Sequence, residues 1–298
     1  MNMVLCRLPK AGLGNQLFSM MKTLVFAELN NLPFTVVGYY KLNVGTYLRG
    51  ERSKRNYINY FTFQKTLPGE LLDRIKVSRI NKNEIVNEPN LSKLDALPQN
   101  AVYQFTKIPH WSDYFFELKD YRSLVIKLFL QNISESIKDK LASQKTPVIG
   151  VHIRMGDFKK LQQGQDFKKV GATRTPEEYF INVIKSIRHV AGKNLPVTIF
   201  TDGNPSEFKN LLDLQAISIA EGNSDIVDML LLSKSKIIVP SAGSTFSYWS
   251  GFLSDSPIIM HPDHIHKPLR DDQTRTLFEG PFDVNNASLI SQIQNIAQ

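Results

Sequence analysis

The stretch PVIGVHIRMGDF, residues 147–158, is an apolar run that enters through Pro147 and breaks at Gly156, the pattern of a buried strand ending in a turn. Downstream of it, strands and helices alternate. Thr175 is placed to cap a helix, Pro176 suits its first position, Glu178 completes a capping box and Gly192 ends it. VTIF follows from Val197. Ser224 is placed to cap a helix through Met229 to Leu232, succeeded by a strand Ile237 to Pro240, a small-residue turn, a helix around Trp249 and a strand Ile258 to Met260. This βαβα rhythm predicts a parallel sheet covered by helices, with ligands beyond the carboxyl ends of the strands.

Upstream, Val4 to Leu8 reads as a strand and Gly12 and Gly14 as a turn. Leu17, Met20, Met21, Leu24 and Val25 then mark a helix, and Pro33 to Val37 a second strand. Tyr39 to Gln144 is irregular, rich in Lys, Asn and aromatics, with one helix expected late in it. A chain of 298 residues accommodates two domains, here 1–145 and 146–298.

A net charge of +8 and a pI of about 9.4 attract an anionic partner, whether nucleotide, nucleic acid or acidic lipid. The densest cluster is Arg49, Arg52, Lys54 and Arg55, beside Tyr57, Tyr60, Phe61 and Phe63. No nucleic-acid-binding motif accompanies it, so no nucleic-acid partner is expected and at most peripheral membrane contact. The single cysteine, Cys6, excludes an internal disulfide and a cysteine-rich metal site. No signal peptide and no run of about 20 apolar residues is read, which gives a cytoplasmic expectation. Asp-x-Asp clamps, G-x-S-x-G elbows and Walker lysine loops are absent.

Three turns carry residues suited to chemistry. In GVHIRMGDF the strand delivers His152, Arg154 and Asp157 to its tip, where an arginine fork suits a phosphate; the alternative is a structural Arg154–Asp157 ion pair. In Pro240 to Ser247, hydroxyls and Gly243 lie between a strand and a helix start, an anion site that needs no metal or else an ordinary cap. GLGNQLF from Gly12 places Asn15 and Gln16 at a third such turn, poor as a dinucleotide fingerprint because Leu17 stands at the third glycine position. Asp202 and Asp228 are either helix-end partners or acceptors for a purine base. His261, Asp263, His264 and His266 fit no zinc spacing and read as a loop.

Taken together, GLGNQLF, HIRMGDF, FTD and DMLLLSKSKIIVPSAGSTFSYWSG resemble, in order and spacing, the motifs of glycosyltransferase family 11, the α-1,2-fucosyltransferases, including their bacterial members. Two departures stand out: Met155 where many members carry a second arginine, and the SAGSTFSYW form of the last turn. The resemblance implies an α/β, GT-B-like fold of two Rossmann-like domains facing a cleft, with a C-terminal parallel sheet. It also implies an inverting transfer of L-fucose from GDP-fucose to a galactose hydroxyl of an oligosaccharide or lipid-linked glycan, with no metal or other cofactor. On it, Arg154 binds the diphosphate and stabilises departing GDP, and His152 sits on the nucleotide or diphosphate. Ser244, Thr245, Phe246 and Ser247 hold phosphate and guanosine, Asp228 recognises guanine and Asp202 belongs to the donor site. Gly14, Asn15 and Gln16 serve the transfer site from the first domain, which is expected to bind the acceptor, with Arg52, Tyr57 and Tyr60 offering charge and aromatic faces to a sugar; the second domain takes GDP-fucose. A base must deprotonate the acceptor; Asp157 is the first candidate and His152 the reserve. The rival expectation is a non-catalytic nucleotide-sugar or glycan-binding protein of the same fold.

Overall fold

The computed structural model describes residues 2–40, 57–162, 165, 167, 172–263, 266–270 and 277–298. The basic cluster Arg49, Arg52, Lys54 and Arg55 lies outside them, as does His264. The chain divides into two compact units, the first reaching Lys138 and the second running from Asp139 to Gln298. The expected boundary at 145/146 falls just past the helix in which this division lies.

In the first unit the chain forms β1 (Met3–Arg7), α1 (Leu13–Asn30), β2 (Phe34–Val37), α2 (Leu67–Ser78), β3 (Ile85–Asn87), β4 (Val102–Phe105), α3 (Arg122–Asn132) and the start of α4 (Glu135–Ala142). Its sheet has the order β2-β1-β4-β3, parallel throughout. Helix α1 is buried nearly all round, through Leu17, Phe18, Met21, Val25 and Phe26, as an element apolar on every side must be. Asn31 stops it in a left-handed conformation at φ 49°.

The described residues between 57 and 144 are thus more regular than the sequence reading allowed. Strands β3 and β4 have only three and four residues, too few to establish a period. Helix α2 is not anticipated by the sequence reading although Leu67, Leu71, Leu72 and Ile75 recur at helical spacing; its apolar residues point outward and its acids inward. Tyr57, Tyr60 and Phe61 are buried, with Phe61 stacked on Phe63 at 5.3 Å and edge-on to Phe129 at 5.8 Å. They belong to the core of this unit and present no open face to a sugar.

The second unit comprises β5 (Ile149–Ile153), α5 (Glu177–Ala191), β6 (Val197–Thr201), α6 (Lys209–Leu212), β7 (Ile217–Ile219), α7 (Asp225–Lys234), β8 (Ile237–Val239), α8 (Thr245–Leu253), β9 (Ile258–Ile259), β10 (Glu279–Gly280) and α9 (Ala287–Ala297). The sheet order β10-β9-β8-β5-β6-β7 is parallel throughout. The chain starts in the middle at β5, winds to one edge through β6 and β7, then returns to β8 on the other side. That reversal is a topological switch point, where open α/β sheets bind their ligands.

Strand β5 is buried at every position. Its side chains alternate between faces: Ile149, Val151 and Ile153 join one apolar core with Phe180, Ile184 and Ile187 of α5 and Leu289 and Ile293 of α9. Gly150 faces α7, and a methyl group there would meet Leu232 at 2.8 Å and collide with Ser235. The predicted capping box at α5 does not form. Pro176 is the N-cap without a side-chain bond, because Thr175 Oγ1 instead accepts the Ala242 N–H at 2.9 Å, tying this segment to the turn after β8. Gly192 does end α5, at φ 66°. Ser224 flanks α7 but its hydroxyl caps nothing.

Candidate active site

The two strands at the switch point, β5 and β8, each hand a motif to their carboxyl end. After β5 come Arg154 and Asp157; after β8 comes the turn from Pro240 to Ser244 that opens α8. One hydroxyl joins them: Ser241 Oγ accepts the Arg154 N–H at 2.8 Å and donates to the His152 carbonyl at 2.8 Å. The His152 ring stacks on Phe246 with centroids 4.8 Å apart and planes 25° off parallel.

Arg154 is held by two carboxylates. One guanidinium nitrogen donates to Asp202 and another to Asp157 Oδ1, the latter at 2.6 Å, while the group lies 5.6 Å from the Phe158 ring centroid. Asp202 stands just beyond the β6 strand that pairs with β5, and its other oxygen accepts the Met155 N–H at 2.8 Å. It therefore fixes both the turn and the guanidinium. Gly156 permits this: a Cβ there would lie 2.5 Å from Asp202 Oδ2 and 3.4 Å from the guanidinium carbon. The ion pair posed as an alternative to a ligand site thus exists, and the Asp202 bond is added to it. A planar fork shared by two acids remains able to exchange one of them for a phosphate.

His152 is buried, and its Nδ1 has no hydrogen-bond partner. Burial, then the neighbouring Arg154 guanidinium, lowers its pKa from 6.5 to about 3. The ring is therefore neutral near pH 7. Its unsatisfied nitrogen suits a ligand hydrogen bond.

Within the turn after β8, Gly243 adopts φ 72° and its N–H donates to Tyr248 Oη at 2.7 Å. Ser247 is fully buried and donates to the Ser244 carbonyl at 3.2 Å, so its hydroxyl is spent inside the helix start. Ser244 is the N-cap but makes no side-chain cap. The first intrahelical bond of α8 is from Tyr248 N–H to Ser244, which leaves the amides of Thr245, Phe246 and Ser247 unpartnered among the described residues. Three free N–H groups at a helix start form an anion site.

Asp228 lies in the neighbouring α7 and accepts from Asn223 Nδ2 at 2.9 Å; Ser250 of α8 donates to the Met229 carbonyl beside it at 3.0 Å. Asn223 Oδ1 and Ser224 Oγ are buried without partners; the sequence reading did not single out Asn223 and took Ser224 only as a helix cap. In the first unit, Gln16 donates to the Ala11 carbonyl at 3.0 Å and braces the turn, whereas Asn15 Oδ1 is buried and unpartnered. Gly14, also buried, sits in the first turn of α1. Among the described residues no three His, Cys, Asp or Glu side chains converge as metal ligands. Thr175 and Ser241 were missed as bridging residues because a hydroxyl's long-range partner leaves no local pattern.

The second unit is thus an open, doubly wound α/β sheet with an arginine fork and an unsatisfied helix start at its switch point, the place where such sheets bind ligands. The chain belongs to glycosyl transferase family 11, whose family model matches residues 13–271. Its fold is GT-B-like. The crystal structure of fucosyltransferase NodZ from Bradyrhizobium shares it with a TM-score of 0.50 at 12% identity, covering 90% of this chain and 100% of that one. Weaker likenesses are a mutant of Arabidopsis thaliana FUT1 in complex with GDP (TM-score 0.46, 13% identity, 92% and 73% covered) and POFUT1 in complex with GDP (0.47, 14%, 87% and 97%). No curated protein sequence matches the chain significantly.

Proposed function

We propose that this protein transfers L-fucose from GDP-fucose to a galactose hydroxyl of a glycan, with inversion, an α-1,2 linkage and no metal. The observation that carries the proposal is the pairing of Arg154 with the free amides of Thr245, Phe246 and Ser247 at one switch point, in a member of this glycosyltransferase family. NodZ, of the same fold, is a fucosyltransferase. As the acceptor oxygen attacks the anomeric carbon and the bond to the β-phosphate breaks, charge builds on the diphosphate. Arg154 and the helix-start amides are preorganised to meet it. The neutral His152 ring, packed on Phe246, hydrogen-bonds the nucleotide through its unsatisfied Nδ1, and Asp228 with Asn223 and Ser224 reads the base.

Asp157 is the base. While paired with Arg154 it is a poor proton acceptor; the donor diphosphate takes over that part of the guanidinium and loosens this pair, which raises the basicity of the carboxylate. The acceptor is bound by the first unit. With Tyr57 and Tyr60 buried, that role passes to the loop following β4, where Trp111 and Phe116 are exposed and offer aromatic faces to a sugar. The loop is fixed to α1 by Phe18, which stacks on Tyr114 at 5.6 Å and meets Phe115 edge-on at 5.1 Å.

Incubation with GDP-fucose and a panel of galactose-terminated acceptors, free and lipid-linked, followed by linkage analysis, tests the proposal. Transfer should occur, and a folded Arg154→Lys variant should lose most of it, because a point charge replaces a two-pronged donor. GDP-fucose binding without transfer to any acceptor would leave the non-catalytic alternative standing.

A further inference from the structure

Among the described residues no helix is long and apolar enough to cross a membrane, yet α2 is arranged inside out. Its acids Glu70 and Asp73 are buried beside Val77, which packs on Leu5, Val37 and Val102 of the sheet. Its large apolar residues face outward: Leu67 is 46% exposed, Leu71 48%, Leu72 60% and Ile75 48%. At helical spacing, 67, 71 and 75 form one row and 72 stands beside it.

The inversion is anchored. Glu70 accepts the Gly38 N–H at 2.9 Å and the Arg74 Nε–H at 2.8 Å, and Asp73 pairs with Lys65 at 2.7 Å. Rotating the helix to hide its leucines would strip these bonds. Glu70 and Asp73 are also the only acids between residues 65 and 82, so the exposed charges of that segment, Lys65, Lys76, Arg79 and Lys82, are all basic. Lys76, Arg79 and Lys82 make no ion pair among the described residues. By helical spacing, Arg74 lies on one flank of the apolar row and Lys76 on the other.

We infer that this face of α2 docks on an anionic lipid bilayer, with the leucine row entering the boundary between headgroups and acyl chains and the flanking bases meeting lipid phosphates. A symmetric pairing of two copies through the same patch would bring like-charged rims together, which disfavours self-association. The inference does not depend on the donor or acceptor proposed above.

Flotation of the full chain with vesicles is the test. The protein should float with phosphatidylcholine vesicles containing phosphatidylglycerol, less so at high salt, and not with pure phosphatidylcholine. A Leu71→Gln, Leu72→Gln, Ile75→Gln variant should lose about tenfold or more in partition, with unchanged melting temperature and GDP binding. Replacing Lys76, Arg79 and Lys82 by Gln should weaken binding to the anionic vesicles at low salt. Should the triple leucine and isoleucine variant fold poorly, Leu72→Gln alone reads the same partition. Failure of the wild type to float with anionic vesicles, or equal flotation of the variants, overturns the inference. So does a wild-type dimer that the triple variant dissolves, which would make the face a self-association surface.

Discussion

Replacing Asp202 by Asn removes the charge that holds Arg154 while keeping the oxygen that accepts the Met155 N–H at 2.8 Å. The substitution turns an amide N–H₂ toward the guanidinium, so an acceptor becomes a second donor. A charge-assisted hydrogen bond contributes about 1.5–3 kcal/mol. Arg154 and Asp202 side chains keep 21% and 16% exposure, and solvent screening reduces the expected coupling to about 1–2 kcal/mol. Asp157, the other partner, is 42% exposed, and its coupling to Arg154 should be smaller, about 0.2–1 kcal/mol. Urea unfolding of a double-mutant cycle pairing Arg154→Met with Asp202→Asn, and a second with Asp157→Asn, measures both couplings. A coupling to Asp202 below about 0.3 kcal/mol, or one weaker than that to Asp157, would refute the idea that Asp202 is what positions the fork.

Asp157→Asn removes a negative charge beside the proposed diphosphate site, so GDP should bind a few-fold tighter while kcat falls about tenfold or more; calorimetry and steady-state rates separate the two, and an unchanged kcat would remove Asp157 as the base. Because burial and Arg154 hold His152 at a pKa of about 3 against 6.5, the unfolded chain takes up a proton below about 6.5 that the folded chain refuses until about 3. Stability present above that window should therefore be lost as pH falls through it, by up to about 1.4 kcal/mol per pH unit, and His152→Gln should flatten the slope of unfolding free energy there. Gly150→Ala drives a methyl group into Leu232 and Ser235 and should cost about 1–3 kcal/mol in denaturant unfolding; a neutral result would mean α7 yields easily. Turnover of GDP-fucose should survive EDTA, and a loss restored by manganese or magnesium would contradict the metal-free mechanism.

The second unit was legible because its signals are long and local. A continuous apolar run such as VIGVHI, a Pro-led helix and a glycine stop each declare themselves within a few residues, and the strand ends then place Arg154 and Ser244 to Ser247 at a binding edge. What could not be read is whatever depends on distant partners. Thr175 looks like a helix cap, but its oxygen serves Ala242, 67 positions away. Asp202 looks like a strand-end cap, yet it is spent on Arg154, 48 positions upstream. Tyr57 and Tyr60 look like a sugar platform beside a basic cluster, and only packing shows that their rings are core. In α2 the usual link between apolar residues and the interior is reversed by bonds from Glu70 to Gly38 and Arg74, so periodicity points to the wrong face.

The hydroxyl of Ser241 that bridges β5 and β8 ties together residues 87 positions apart, and this sets an order of events during synthesis. At about 5–20 residues per second, roughly 4–17 s pass between emergence of Arg154 and of Ser241. Both ladder edges of β5 are open until β6 emerges, and one stays open until β8 does; β5 is an apolar strand buried at every position in the finished fold, and such edges pair with neighbouring chains when left uncovered. No nucleotide can protect it then, because the amides of α8 have not yet been made. A ligand for this site therefore cannot guide early folding and can only seal a unit already complete, while in the newborn chain β6 is the first strand able to cover an edge of β5.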